Sequence, residues 1–311
     1  MGLTTEVADL DGDGNPEVVT IPGEGFDAQL RIFDKDGNIL SQFMAYPAGF
    51  RNGVNVSLFD LDGDGEKEVI TVPKDTSADV KVFDRNGNLI ARFNAYGSIF
   101  TEGAEVKAAD LDGDGVGEIV AYPSTGSGQV RVFDKDGNIV TQFDTYGAGY
   151  RNGIYVTLSD LDGDGTVEIV TSTKDAAAHV KVFDKDGGLL AQFMGYATTF
   201  KGGAKTFTGD VDGDGAKEIV VLPGNNGSAQ ARVFDKDGNL LSQFFAYPAE
   251  IKGSYSAAVG DLDSDGVAEI SFGPGSGLGP QVRVFDKDGN ALSQFFTLHS
   301  GYRGGINVSL V

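Results

Sequence analysis

Residues 60–68 read DLDGDGEKE, a short acidic loop that recurs six times along the chain. Its core motif begins at Asp9, Asp60, Asp110, Asp160, Asp210 and Asp261, with the variants DVDGDG in the fifth copy and DLDSDG in the sixth. Two further motifs keep the same spacing of about 50 residues, an [IV]FD triplet and a [QR]F pair. Because self-similarity at a fixed period marks a repeat architecture, the chain is predicted to be an array of one unit.

One unit, residues 53–102, predicts four short strands. GVNVSLF alternates apolar and polar residues and leads into the acidic loop, and VITV follows it. DVKVF and LIARFNAY form the third and fourth strands around the turn DRNGN, since Asn-Gly between two alternating runs is a strong hairpin signal. Four strands in about 50 residues are typical of one blade of a β-propeller. The predicted fold class is therefore all-β, a β-propeller of six four-stranded blades.

The repeats are expected to occupy one propeller domain over residues 1–311. Their approximate bounds are 2–52, 53–102, 103–152, 153–202, 203–253 and 254–303, and residues 304–311 repeat the first strand once more. Our first expectation is that this last copy closes or caps a six-bladed ring. The alternatives are seven blades, or a piece of a longer array in which residues 304–311 open a further blade.

Composition excludes several classes of function. The 311 residues include 46 Asp and Glu against 24 Lys and Arg, a net charge of −22, which argues against nucleic acid as a partner. No cysteine is present, so disulfides and thiolate zinc sites are excluded. No apolar run approaches the roughly 18 residues that cross a membrane, so membrane insertion is not expected. The opening MGLTTEVADL lacks the pattern of a signal peptide, which fits an intracellular protein or a mature chain.

The acidic loops have the ligand spacing of a calcium site. Carboxylates at loop positions 1, 3 and 5 surround one point when the chain turns sharply, and the glycine at position 6 permits that turn. A backbone carbonyl at position 7 and the Glu at position 9 complete an oxygen shell of about six to seven ligands. Oxygen ligands without imidazole or thiolate favour calcium over zinc or copper. About six Ca²⁺ ions are therefore expected as cofactors.

The predicted carboxylate ligands are Asp9, Asp11, Asp13 and Glu17; Asp60, Asp62, Asp64 and Glu68; Asp110, Asp112, Asp114 and Glu118; Asp160, Asp162, Asp164 and Glu168; Asp210, Asp212, Asp214 and Glu218; and Asp261, Asp263, Asp265 and Glu269. The predicted carbonyl ligands belong to Asn15, Glu66, Val116, Thr166, Ala216 and Val267. These loops hold 24 of the 46 acids, so the remaining acids nearly balance the 24 basic residues. The negative excess thus lies in the loops, where carboxylates without a cation would repel one another. The competing interpretation is an acidic, solvated turn that uses Asp and Gly for backbone reasons alone.

The loops and the apolar strand after each of them resemble the FG-GAP/VCBS repeats of bacterial surface proteins and integrin α-subunit propellers. The resemblance covers essentially the whole chain. It implies a propeller with a calcium ion in the loop between the first and second strands of each blade, held by the acids named above. Position 9 is Glu in every copy here, whereas the integrin loops have Asp.

Two other repeated features, the DKDGN-type turns and a series of tyrosines, are predicted to be structural. The DKDGN turns and their variants lack a third carboxylate at metal spacing, so they are predicted to be hairpin turns. Tyr46, Tyr96, Tyr146, Tyr196 and Tyr247 recur at one place in the repeat, which favours packing between blades over a sugar-binding platform.

The functional hypothesis is a calcium-stabilised extracellular or cell-surface scaffold for binding and adhesion, because weak calcium sites fill where calcium is plentiful. Its partner, a protein or a glycan, is expected on the face opposite the calcium loops, where the loops between strands two and three vary most. The alternative is a carbohydrate-binding lectin propeller, and a polysaccharide lyase or dehydratase comes after it. No catalytic or organic-cofactor residue is predicted, since the sequence has no GxSxG, HExxH or P-loop motif. The ligand and the oligomeric state stay open.

Overall fold

The computed structural model describes residues 3–309, and every regular element in this range is a β-strand. The all-β prediction is confirmed, and the strands form six four-stranded antiparallel sheets, the blades of a β-propeller. Two compact units divide the chain, the first ending at Gly153 and the second starting at Ile154. Each unit contains three blades. Within the described range we find no helix that could span a membrane.

The first unit contains blades one to three. Blade one is β1 (Leu3–Ala8), β2 (Glu17–Pro22), β3 (Gln29–Phe33) and β4 (Ile39–Met44). Blade two is β5 (Val54–Phe59), β6 (Glu68–Pro73), β7 (Asp79–Phe83) and β8 (Leu89–Asn94). Blade three is β9 (Ala104–Ala109), β10 (Glu118–Pro123), β11 (Gln129–Phe133) and β12 (Ile139–Asp144). Neighbouring strands in the chain are neighbours in each sheet.

The second unit contains blades four to six. Blade four is β13 (Ile154–Ser159), β14 (Glu168–Thr173), β15 (His179–Phe183) and β16 (Leu189–Met194). Blade five is β17 (Ala204–Gly209), β18 (Glu218–Pro223), β20 (Gln230–Phe234) and β21 (Leu240–Phe245), with a separate two-stranded ladder of β19 (Gly227–Ser228) and β22 (Lys252–Gly253). Blade six is β23 (Tyr255–Gly260), β24 (Glu269–Pro274), β25 (Gln281–Phe285) and β26 (Ala291–Phe296). The extra ladder was not predicted.

Blade two shows why the sequence folds this way. Its β-branched second strand β6 is buried along its whole length, whereas β5 alternates and β8 is mostly exposed. The predicted strands match β5 to β8 closely, except that β8 ends at Asn94 before the predicted end. Tyr96 leaves the sheet there, and its hydroxyl donates to the carbonyls of Ala121 and Gln129 in blade three, each at 2.8 Å.

The core lies between consecutive blades of a unit. Leu61, Val72 and Val80 of blade two pack in one cluster with Val106 and Ile119 of blade three. Within a unit, the Phe of a [QR]F pair contacts the Phe of the next blade's [IV]FD triplet. Ring centroids are 5.0 Å apart for Phe43 and Phe83, 4.8 Å for Phe93 and Phe133, and 4.4 Å for Phe193 and Phe234. The predicted packing role of the repeated tyrosines is confirmed at these joints, since Tyr46, Tyr196 and Tyr247 also donate to carbonyls of the following blade.

Residues 304–309 lie beside blade six but form no assigned strand. The Ile306 amide donates to the Pro274 carbonyl at 2.8 Å, and its carbonyl accepts a hydrogen bond from Ser256 at 2.7 Å. Asn55 makes the corresponding contact with Ala104, in the first strand of the next blade. The segment thus occupies the place of a first strand, and blade one has a first strand of its own, β1. The end of the predicted closing segment, residues 310–311, and the predicted start of the first repeat at Gly2 lie outside the described residues.

Candidate metal centres

The acidic loops join the first and second strands of every blade, as the loop between β5 and β6 illustrates. Asp60 at position 1 faces back into its own loop, where its two carboxylate oxygens accept the amides of Gly63 at 2.7 Å and Gly65 at 2.8 Å. Gly65 has φ 91°, a left-handed conformation that side chains rarely adopt. A Cβ on Gly63 would lie 2.8 Å from the Gly115 carbonyl oxygen of the neighbouring loop. The glycines are therefore required both by the turn and by the close approach of two loops.

The glutamate at position 9 anchors each loop to the core. The Glu68 side chain is buried, and one of its carboxylate oxygens accepts the amide of Leu61 at 2.8 Å. Leu61 is itself fully buried. The same bond, at 2.8–2.9 Å, joins Leu10 to Glu17, Leu111 to Glu118, Leu161 to Glu168, Val211 to Glu218 and Leu262 to Glu269. One oxygen of each glutamate is thus occupied by a backbone amide.

The structure brings three carboxylates of each of five loops together, with one oxygen of each within 4.8 Å of the others. In four loops these are positions 1, 3 and 9: Asp60, Asp62 and Glu68; Asp110, Asp112 and Glu118; Asp160, Asp162 and Glu168; and Asp210, Asp212 and Glu218. In the first loop they are positions 1, 3 and 5, namely Asp9, Asp11 and Asp13.

The remaining predicted ligands are positioned by hydrogen bonds of the loop. At position 5, one carboxylate oxygen accepts the amide of the residue at position 7, which orders the carbonyl predicted as a ligand. These bonds, at 2.7–2.8 Å, join Asn15 to Asp13, Glu66 to Asp64, Val116 to Asp114, Thr166 to Asp164, Ala216 to Asp214 and Val267 to Asp265. In the sixth loop, Asp261 accepts the amides of Ser264 and Gly266, as Asp60 does in its own loop.

The electrostatics of the loops favour a bound cation. Burial, together with repulsion from the three aspartates of the same loop, raises the pKa of Glu68, Glu118 and Glu168. The same causes raise the pKa of Glu218 to about 7, although the Val211 amide opposes the shift. Such carboxylates are costly to ionise alone, and a divalent cation removes that cost. All-oxygen donors of this charge fit a hard ion such as calcium.

Basic residues from the next blade contact the aspartate at position 3, a feature that the sequence analysis missed. Arg85 Nη1 lies 2.5 Å from Asp11, Lys135 Nζ lies 3.2 Å from Asp62, and Lys236 Nζ lies 3.8 Å from Asp162. Each base is the second residue of a DKDGN-type turn, so its recurrence in every repeat was the available signal. The candidate metal centres of blades one, two and four therefore lie beside a base of the following blade.

The DKDGN turns themselves are hairpin turns, as predicted. In the turn after β3, one Asp34 oxygen accepts the amides of Asp36 and Asn38, and the other accepts the Asn38 side chain at 2.8 Å. These hydrogen bonds, with that of the Asn38 side chain foremost, lower the pKa of Asp34. The first acid of the turn is thus occupied by the backbone.

Comparison with known proteins identifies the repeat. The model of the FG-GAP-like repeat matches residues 9–71 and 210–272, about two fifths of the chain. No curated protein sequence matches significantly. Among solved structures, the V. cholerae biofilm matrix protein Bap1 is 23% identical with a TM-score of 0.51, and the match covers 79% of this chain but only 39% of that one.

Two further structures share the fold at lower identity. BBS1N, solved in complex with ARL6DN, is 11% identical with a TM-score of 0.63, over 95% of this chain and 82% of that one. The Bacillus licheniformis rhamnogalacturonan lyase PL11 is 20% identical with a TM-score of 0.57, over 93% of this chain and 56% of that one. At these identities the likeness establishes the fold alone. The two matched segments, the six blades and the acidic loop in each blade support an FG-GAP-type β-propeller for this chain.

Proposed function

We propose that this propeller is a calcium-stabilised scaffold for binding and adhesion, located outside the cell or on its surface. The observation that carries the proposal is the buried glutamate at position 9. A backbone amide holds it close to aspartates of the same loop, so that several negative charges lie together. When bound, Ca²⁺ supplies the positive charge that allows these carboxylates to stay ionised together. The role proposed is binding rather than catalysis.

The location follows from calcium supply. Calcium-binding modules that work outside the cell have dissociation constants of about 10⁻⁴–10⁻³ M, and we expect the loops of this chain to fall in that range. At about one to ten times its dissociation constant, an ion that binds only the folded chain stabilises it by about 0.4–1.4 kcal/mol per site. Millimolar extracellular calcium would therefore keep the loops loaded. Labelling of intact, unpermeabilised cells with an antibody against the chain tests this location, and labelling only after permeabilisation would contradict it.

The metal part of the proposal is tested by thermal unfolding in calcium and in excess chelator, with a calorimetric count of bound ions. We expect about six ions per chain, one per loop, and a large fall in the melting temperature on chelation. Asp62→Asn removes one carboxylate that makes no structural hydrogen bond to a loop amide, so it should cost about one ion. Asp136→Asn, in an exposed hairpin turn, removes the same charge and should keep all ions. Equal melting temperatures in calcium and chelator, with no bound ion, would leave the loops as acidic turns.

A further inference from the structure

Blade five departs from the repeat at the end opposite its acidic loop. The segment between Pro223 and Gln230 is one residue longer than its counterpart in blades two, three and four, and as long as those of blades one and six, but only here, among the described residues, does it form a strand. Asn226 there has φ 53°, a left-handed conformation that is uncommon outside glycine. The longer segment forms β19, which pairs with β22.

A cavity of about 290 Å³ lies beside this ladder, entirely within the second unit. Two cations, Arg232 and Lys252, line it, and no Asp or Glu is among the lining residues that the structure describes. The lining of the cavity is therefore positively charged, although the chain as a whole has a net charge of −22. The cavity therefore favours an anion over a neutral or positive ligand.

Arg232 is held differently from its counterparts in other blades. Its Nη1 donates to the Gly195 carbonyl at 3.0 Å, but its Nε is buried without a hydrogen-bond partner among the described residues. In blades three and six the matching Nε of Arg131 and Arg283 donates to the side-chain oxygen of Gln129 and Gln281, at 3.1 and 3.3 Å.

Gln230, which corresponds to Gln129 and Gln281, does not accept a hydrogen bond from Arg232 Nε. The Gln230 amide nitrogen donates instead to Gln243 at 3.4 Å, across the strand pair. Both Gln230 and Arg232 line the cavity. A buried donor without a partner is costly, and an acceptor on a bound molecule would remove that cost.

The rest of the wall suits a sugar ring. Phe245, with 47% of its surface exposed, and Phe200 give the cavity an apolar side. Asn226, Ser228 and Gln230 add amide and hydroxyl groups that can pair with sugar hydroxyls. Small-molecule sites combine an apolar wall with a few polar groups, and the volume lies at the lower end of the usual range, about 300 Å³. That size suits one ring of a longer chain.

We propose that this cavity of blade five binds a carboxylate-bearing sugar residue, a uronic acid unit of an acidic polysaccharide. The inference deepens the binding role proposed above by naming a ligand class, and it places the ligand away from the metal centres. The sugar carboxylate accepts hydrogen bonds from Arg232 Nε and from the Lys252 ammonium, and the ring packs on Phe245.

Titration calorimetry with D-galacturonic and D-glucuronic acid, beside neutral D-galactose and D-glucose, tests the proposal on the calcium-loaded protein. We expect the acids to bind and the neutral sugars to bind at least about tenfold more weakly, since a charged hydrogen bond is lost. Acetate should not compete at equal concentration. Equal binding of acid and neutral sugar, equal competition by acetate, or no binding at all would overturn the proposal.

Matched variants localise the site. Lys252→Ala should weaken uronate binding about five- to tenfold, whereas Lys201→Ala, at the same repeat position in blade four, should leave it unchanged. Phe245→Ala should weaken it too, with Phe296→Ala of blade six as the control. Undiminished binding by both Lys252→Ala and Phe245→Ala would refute this location. The count of bound calcium ions should stay the same in all four variants, so that a failure of this site is distinguished from a failure of the metal centres.

Discussion

Glu218 combines a buried side chain with three aspartates of its own loop. Burial first, and repulsion by Asp212, Asp214 and Asp210 after it, raise its pKa to about 7, against 4.5 in an unfolded chain. In the absence of metal, the folded state therefore holds the proton more tightly than the unfolded state. Its contribution to stability is present below pH 4.5 and is lost as the pH rises through about 7.

The resulting prediction concerns the difference in melting temperature between the wild type and Glu218→Gln. In chelator, we expect the wild type to lose stability relative to the variant as the pH rises from about 5 to 8, because only the wild type must ionise this carboxyl. In calcium the trend reverses, since the ion binds the carboxylate. Melting curves at several pH values in both conditions measure it. The same pH trend with and without calcium would contradict the assignment of Glu218 as a ligand.

For single residues, the sequence predicts which side chains form the candidate metal centres better than it predicts the contacts that those side chains make. The spacing of Asp60, Asp62 and Glu68 is enough to place them on one loop, and three carboxylates do converge there. The contact of Arg85 with Asp11 joins residues 74 positions apart, so only the stacking of blades creates it. The broken Arg232–Gln230 pair is also invisible in the sequence, because the residue types match those of the intact pairs.

In three pairs of neighbouring blades, a base in the hairpin turn of one blade contacts an aspartate in the acidic loop of the blade before it. Lys135, from the turn after β11, lies 3.2 Å from Asp62, and the hydrogen bond and charge of that aspartate raise the pKa of the lysine. A fixed positive charge there opposes a divalent cation in the same loop. We therefore expect the turn of one blade to lower the calcium affinity of the acidic loop in the blade before it.

Lys135→Met should tighten calcium binding at one site by about threefold or more at low salt, and less as added salt screens the charge. Calcium titration of the variant beside the wild type measures the change. Lys35→Met is the matched control, because Lys35 occupies the same turn position in blade one and pairs with Asp36 of its own turn. Weaker calcium binding in Lys135→Met would mean that the lysine supports the site rather than opposing it.

Strand alternation predicts the four strands of a blade almost to the residue, because one face of β5 and the whole of β6 must be buried. The ladder of β19 and β22 was not predictable in this way. A two-residue strand has no period, and the one-residue difference in loop length gives no indication of pairing.

For the molecule as a whole, calcium loading would change the net charge. Six bound ions would bring the net charge from −22 to about −10 at pH 7. We expect the electrophoretic mobility of the native protein to fall by about half between chelator and saturating calcium, and to fall much less in the same concentration of magnesium. Native electrophoresis or electrophoretic light scattering measures this. An unchanged mobility in calcium would exclude loading of the loops as a group.

The contacts between consecutive blades of the first unit repeat with the same residue types. Phe43 meets Phe83 as Phe93 meets Phe133, and the Tyr46 hydroxyl reaches the Asp79 carbonyl as that of Tyr96 reaches Gln129. If residues 53–102 were deleted, Phe43 would therefore face Phe133, and the contact between the two blades would keep the same residue types. We therefore expect duplication or loss of a whole copy to preserve this packing, and each copy gained or lost carries its own acidic loop with it.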